Sequence, residues 1–414
     1  MQGTASHILR TALAGLEWTE SGRSLDDFLD RTPEAYRNTV GFILLALFRN
    51  RKNIHKILMQ YIRKMPEKKL FFLLEITTAQ IFYCRGIAGE SAVNVAVDYC
   101  RKALHPKAAG FLNAVLRKIT AATPPEADFS PEAVLPDPVL QHWQKIFPPE
   151  TVANLARAFA DRPETVFRCT GNSLPDETEL QKLQAEKLPT PFEGCPFLFC
   201  RTADLSKVLN SEGWTSGKWY IQDPAAALAV TLADFSKVRR ALDICAAPGG
   251  KSLMIAELMQ PGGLLVAADR SEARQKLTRE NFIRRGWDFP TPALSPEKLP
   301  DHWRDFDLVL ADVPCSNTGV FRRRPDALWR FRETTIADLN ELQMHLLEEA
   351  AKRVAPGGQL LYSTCSIEPE ENAGRCAEFL RNHPEFRDGG SRQLYPCAAH
   401  DGAYAHLLRK VRNS

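Results

Sequence analysis

The sequence predicts a multidomain chain: an all-α N-terminal domain, a small α+β unit, and a C-terminal α/β domain with a parallel sheet covered on both faces. Three observations carry this reading. Apolar residues recur at helical spacing through 43–58, 70–83, 93–104 and 111–119. A proline-rich, acid-containing stretch follows at 121–138. From residue 223 onward, short apolar strand candidates alternate with helical segments.

Each part rests on its own residues. In 1–120, Pro66, Gly86, Gly89 and Pro106 fall between the periodic segments, where they end helices. Residues 121–138 read as a linker. Residues 139–222 combine a helical stretch at 140–160 with a strand candidate at 165–169 and a second apolar stretch at 196–200. In 223–414 the strand candidates 241–245, 264–268, 308–311 and 359–362 alternate with helices at 251–259, 272–285 and 338–354. That alternation makes a doubly wound sheet, whose ligands bind beyond the carboxyl ends of the strands.

Composition bounds the function. The chain of 414 residues is 44% hydrophobic and 25% charged, which excludes a disordered or fibrous protein. The longest apolar run, 41–48, is far too short for the ~20 residues of a membrane span. The first 20 residues lack a basic-then-apolar export pattern. Ten cysteines without a regular framework fit a reducing compartment, so a cytoplasmic protein with no membrane partner is expected. Net charge is only +3, but residues 51–120 hold 13 basic against 4 acidic side chains. Such a block attracts a polyanion.

The strand-turn-helix at 241–252 contains the run DICAAPGGK. A P-loop would need glycine at position 245, which is Cys245, and no G-x-G-x-x-G is present. A dinucleotide-dependent oxidoreductase is therefore disfavoured. What remains is a glycine turn followed, at the end of the next strand, by Asp269, an acid able to accept hydrogen bonds from ribose hydroxyls. No Cys-x-x-Cys pair with a neighbouring histidine completes a zinc site, so no metal is expected.

This run resembles the S-adenosylmethionine loop of the RNA 5-methylcytosine methyltransferases of the NOL1/NOP2/Sun family. ADVPCSNTGVFRRRPD at 311–326 and LYSTCSIEPEEN at 361–372 resemble two further motifs of that family, and 401–410 is similar to its last strand. SAVNVAVD at 91–98 and GFLNAVLRK at 110–118 resemble the helical RNA-binding domain of the NusB family. The resemblance implies an all-α NusB-like domain over 1–120, a small α+β RNA-binding subdomain over 139–222 and a Rossmann-like methyltransferase domain over 223–414. It implies S-adenosylmethionine as cofactor, held by Cys245, Ala246, Ala247, Pro248, Gly249, Gly250, Lys251, Asp269 and Asp312. It implies small-subunit (16S) ribosomal RNA as partner and substrate, with a monomeric protein expected.

The chemistry explains two cysteines. C5 of cytosine is a poor nucleophile, and a thiolate adding at C6 turns it into an enamine carbon. Family resemblance assigns this attack to Cys365 and adduct release to Cys315, both just past predicted strand ends. Asp312 is placed either at the methionine end of the cofactor or at the base edge, with Lys251 beside it. Arg322, Arg323 and Arg324 read as phosphate contacts. Cys84, Cys100, Cys169, Cys376 and Cys397 read as small buried hydrophobes. One departure stands out: the family's adenine-contacting acid has no Asp or Glu counterpart at 291–295. An alternative reading is an RNA-binding ribosome-assembly factor with a decayed cofactor site.

Overall fold

The structure, a computed structural model, describes residues 2–123 and 126–412, so Pro124 and Pro125 of the predicted linker lie outside the described residues. The chain divides into two compact units. One comprises residues 1–162 with 321–332, the other 163–320 with 333–414.

The first unit is helical: α1 (Gln2–Glu20), α2 (Leu25–Asp30), α3 (Glu34–Tyr61), α4 (Lys68–Tyr83), α5 (Gly89–Ala103), α6 (Pro106–Thr120), α7 (Pro131–Val134), α8 (Asp137–Ile146) and α9 (Pro149–Ala160). In α3 the residues at three- and four-residue spacing, Val40, Ile43, Leu44, Leu47, Phe48, Ile54 and Leu58, are those that bury. They pack with Leu73 and Leu74 of α4 and Leu112 and Leu116 of α6 in one core. The sequence periodicity catches α3 only from residue 43, because its first turns are polar and exposed.

Two expectations change here. The sequence places a linker at 121–138 and a new unit from 139, whereas α7, α8 and α9 group with the first unit, which extends to Arg162. Prolines in the first turn of each of these helices fit a helix start as well as a loop. Trp143 of α8 is fully buried, with Phe159 of α9 5.8 Å away and Phe321 stacked 6.0 Å away. The segment 321–332 also departs from the expected reading. Arg322 is buried and its carbonyl accepts from Arg49 at 2.6 Å, while Arg324 pairs with Asp26 at 2.8 Å. Burial takes Arg322 out of phosphate contact, while Arg323 is half-buried and Arg324 stays exposed.

The second unit holds two sheets. A four-stranded antiparallel sheet has the order β2 (Ala185–Lys187), β3 (Leu198–Thr202), β1 (Thr165–Cys169), β4 (Trp219–Ile221). The six-stranded sheet has the order β6 (Leu264–Ala267), β5 (Arg240–Asp243), β7 (Phe306–Asp312), β8 (Val354–Thr364), β10 (Ala403–Lys410), β9 (Phe386–Leu394). Its first four strands are parallel and its last two antiparallel. Alternate residues serve two cores: Ala241, Leu265, Leu308 and Leu361 face one, and Leu242, Val266, Val309 and Leu360 the other. Burial on both faces is what a parallel sheet requires. The connections from β5 run to opposite sides, with β6 next to it on one edge and β7 on the other. That reversal opens a crevice at the carboxyl ends of β5 and β7. Edge strand β9 carries a polar, largely exposed sequence, which is why no apolar alternation marks it.

Candidate active site

The carboxyl ends of the four parallel strands gather the residues that the motifs single out. Asp243 is the last residue of β5, Asp312 the last of β7, and Cys365 follows β8 directly; Asp269 stands two residues past β6 and Cys315 three past β7.

After β5 the chain turns through 244–249 into the helix Gly250–Leu258, with Gly249 at φ +97° as its cap. A Cβ at Gly249 would meet Thr278 Cγ2 at 3.0 Å, and one at Gly250 would meet Gln222 Nε2 at 2.7 Å. Both positions need glycine for the turn to pack. The turn is held from outside. Pro248 O accepts from Asn281 Nδ2 at 2.8 Å and from Tyr220 Oη at 3.3 Å, and Ala247 O accepts from Arg274. Asp269 accepts from Ala247 N at 3.2 Å and from Ser271 N at 2.9 Å. Each of its oxygens keeps a lone pair for a hydroxyl.

Asp243 is almost fully buried and accepts from Ser252 Oγ at 2.7 Å and Cys245 N at 3.3 Å. Burial, reinforced by the charge of Asp312, raises its carboxyl to about 7 against the pull of Ser252 and Lys251. Lys251 Nζ lies 2.6 Å from Asp312 Oδ2. Burial alone would lower the ammonium, but the charge and hydrogen bond of Asp312 outweigh it, so its pKa is raised. The Cys245 thiol is pushed well up by burial and by the charges of Asp243, Asp312 and Asp269. Three carboxylates thus converge on the glycine turn with one lysine among them. That donor set suits a ligand carrying hydroxyls at one end and an ammonium group at the other.

Cys315 Sγ and Cys365 Sγ stand 3.1 Å apart. The Cys365 thiol donates to Asn317 Oδ1 at 3.3 Å, and Asn317 Nδ2 donates to Cys315 O at 2.9 Å. Gly319 N donates to Cys365 O at 2.9 Å. A Cβ on Gly319 would lie 2.6 Å from that oxygen, so only glycine closes the loop here. The hydrogen bond that Cys315 donates to Cys365, burial and the charges of Cys365 and Glu371 hold the Cys315 thiol well above its ordinary value.

The structure therefore brings together Cys315, Cys365, Asp312 and Lys251 at the ends of β7 and β8, and Cys245 to Gly250 with Asp269 around β5 and β6. Sequence reasoning missed Asn317, Ser316, Gln343 and Glu371, which lie in or near the quoted motifs but hold the cysteine loops rather than facing outward. One buried-cysteine reading is also corrected: Cys397 is exposed, and a hydrogen bond from His400 lowers its thiol to about 7. In the 291–295 stretch, Pro292 O accepts from Asp269 N at 3.3 Å and Gln275 Nε2 at 2.9 Å. The nearest acid after it, Glu297, is hydrogen-bonded to Ser295.

Comparison with known proteins agrees with this architecture. Residues 230–400 match the family described as 16S rRNA methyltransferase RsmB/F, and residues 2–121 match the NusB family. The chain is 32% identical over 388 residues to the ribosomal RNA small subunit methyltransferase B of Vibrio cholerae, covering 87% of this chain and 85% of that one. A probable ribosomal RNA small subunit methyltransferase B of Bacillus subtilis is 27% identical, covering 83% and 80%. The crystal structure of PH0851 superposes with a TM-score of 0.75 over 99% of both chains at 24% identity, a likeness of fold.

Proposed function

As a member of the RsmB/F family of 16S rRNA methyltransferases, this chain, we propose, methylates C5 of a cytosine in small-subunit ribosomal RNA through a covalent adduct with Cys365. The observation that carries the covalent part is the 3.1 Å separation of two thiols at the ends of adjacent parallel strands. One thiol alone has a ready explanation as a small buried hydrophobe. Two thiols side by side at a sheet's ligand-binding end do not.

S-Adenosylmethionine, when bound, supplies an electrophilic methyl group. Asp269 would take its ribose hydroxyls, and the turn from Cys245 to Gly250 would follow its backbone. The remaining work falls to the chain. Cys365 gives up its proton to solvent and its sulfur adds to C6, moving the C5–C6 electron pair toward C5. Negative charge then builds in the ring, and the Lys251 ammonium, anchored by Asp312, stands in the same site to offset it. Once C5 carries both a methyl group and a proton, the proton leaves, its electron pair restores the double bond, and the S–C6 bond breaks back onto Cys365. Cys315, held as a neutral thiol against the nucleophile, hands its proton to the departing Cys365 sulfur and takes up the C5 proton, so the release ends with both thiols protonated.

The first unit is proposed to hold the RNA. Its basic side chains Lys102, Lys107, Arg117 and Lys118 on α5 and α6 are exposed, as phosphate contacts require. Arg51 is excluded from that role, since it is buried between Glu20 at 2.6 Å and Glu75 at 2.7 Å.

The test is transfer of label from methyl-tritiated cofactor to unmodified 16S rRNA, followed by nuclease digestion and nucleoside separation. Label in 5-methylcytidine alone is the expected result. Label in another nucleoside, or none in the presence of assembled and naked RNA alike, removes the proposal.

A further inference from the structure

Glu371 is fully buried at the far end of the Cys365 loop, and it binds both that loop and the Cys315 loop. Its Oε1 accepts from Ser316 N at 2.9 Å and from Gln343 Nε2 at 2.9 Å. Its Oε2 accepts from Ser366 Oγ at 2.5 Å and from Ser316 Oγ. Ser316 is the residue after Cys315, and Ser366 the residue after Cys365. One carboxylate thus grips the chain immediately beyond each thiol.

The grip is itself braced. Gln343 Nε2 also donates to Pro314 O at 3.0 Å, the residue before Cys315. Tyr362 Oη donates to Glu371 O at 2.6 Å and to Gln343 Oε1 at 3.2 Å, tying the network to β8. A buried carboxylate is costly unless its acceptors are filled, and here four donors fill them. Further side-chain ties between the two loops are Asn317 with Cys365 at 3.3 Å, the Ser316 and Ser366 hydroxyls with each other at 3.2 Å, and Thr318 Oγ1 with Ser366 Oγ at 3.1 Å and Ile367 N at 3.0 Å. The Glu371 carboxylate alone takes both serine hydroxyls and the Ser316 N–H.

We propose that Glu371 is a positioning residue that fixes the separation of the Cys315 and Cys365 thiols by holding Ser316 and Ser366 on one carboxylate. This deepens the proposed function, on whose assignment of both thiols it rests. It gives Glu371 no contact with substrate; its effect passes through the two serines. Displacement of a reacting group by about 1 Å costs on the order of 10²-fold in rate, so a network holding two groups at once has leverage on the reaction.

Two measurements on the full-length protein separate the geometry from the chemistry. Diamide takes two protons and two electrons from a close thiol pair, forming a disulfide as its N=N bond is reduced to the hydrazine. The rate at which the Cys315–Cys365 disulfide forms, read by peptide mapping, therefore reports their separation without any methylation. Glu371→Gln should slow this closure at least tenfold and lower kcat by roughly 10²-fold, with cofactor Kd and RNA KM within about threefold. Ser366→Ala, which removes one hydroxyl and leaves the carboxylate in place, should move both quantities in the same direction by a smaller factor. It carries the test if Glu371→Gln does not fold. Unchanged disulfide closure in folded Glu371→Gln and Ser366→Ala overturns the proposal. Slowed closure with unchanged methylation upholds the positioning role and instead removes the assignment of both thiols to the reaction.

Discussion

Cys315 and Cys365 are 50 residues apart in the chain and 3.1 Å apart at sulfur. The juxtaposition comes from the parallel pairing of β7 with β8, which sets Asp312 opposite Ser363 and so brings the two following loops side by side. Equivalent thiols would give equivalent mutants, whereas these two differ. Cys315 is held in the neutral form by its neighbours, which suits it to the release half of the reaction.

The two replacements should therefore fail differently. Cys365→Ala should give neither methylated RNA nor a covalent adduct. Cys315→Ala should allow attack and methylation but stall release, accumulating a protein–RNA species that survives denaturing electrophoresis and carries labelled methyl. The double variant should form no adduct. Adduct with Cys365→Ala and none with Cys315→Ala would reverse the assignment.

Asp269 offers a test of the cofactor site. Its carboxylate is 4% exposed and already carries two backbone N–H donors. Charge-assisted hydrogen bonds to ribose contribute about 1.5–3 kcal/mol. Asp269→Ala should weaken S-adenosylmethionine binding by that amount in calorimetry, and Asp269→Asn, which keeps an acceptor, by less. Equal affinity in all three proteins would place the ribose elsewhere.

Asp243 gives the fold a pH dependence. Its carboxyl is raised to about 7 in the folded state against an ordinary value near 4. Between those values the folded state binds more protons than the unfolded, so this group's contribution to stability is full below about pH 4 and is lost as pH rises through 7. The loss is on the order of 2–4 kcal/mol. Wild-type Tm should fall more steeply than that of Asp243→Asn between pH 5.5 and 8.5. Parallel curves would mean that Asp243 is ionised throughout.

Much of this was legible in the sequence because it rests on local pattern. The glycine turn, the acid two residues past β6 and the two cysteines all sit where a strand ends, and strand ends are visible in apolar runs. Glu371, Gln343 and Asn317 were not, because each binds a partner that only the parallel crossover brings beside it: Glu371 to Ser316, Gln343 to Pro314 and Asn317 to Cys365. Prolines misled at 121–138, since a proline in a helix's first turn looks the same in sequence as one in a loop. Arg322 misled for a related reason. It follows the Cys315 loop in sequence, but the chain there has joined the helical unit.

That last point reshapes the test of RNA binding. Deleting 1–120 would be expected to raise the RNA KM, flatten the salt dependence of binding and spare the cofactor site. But Phe321 is fully buried in the helical unit, Trp329 Nε1 donates to Phe48 O at 2.7 Å, and Asp326 accepts from Leu25 N at 3.1 Å. Truncation strips the partners of 321–332 and should cost solubility and kcat as well as RNA affinity. Substitution of the exposed Lys102, Lys107, Arg117 and Lys118 by alanine in the full-length protein isolates the electrostatic role. Each phosphate-neutralising charge removed should lower the slope of log affinity against log salt by about 0.7–0.9. With all four replaced, RNA KM should rise at least tenfold while kcat at saturating RNA and cofactor Kd hold. An unchanged salt slope in that variant would move the RNA-binding face off α5 and α6.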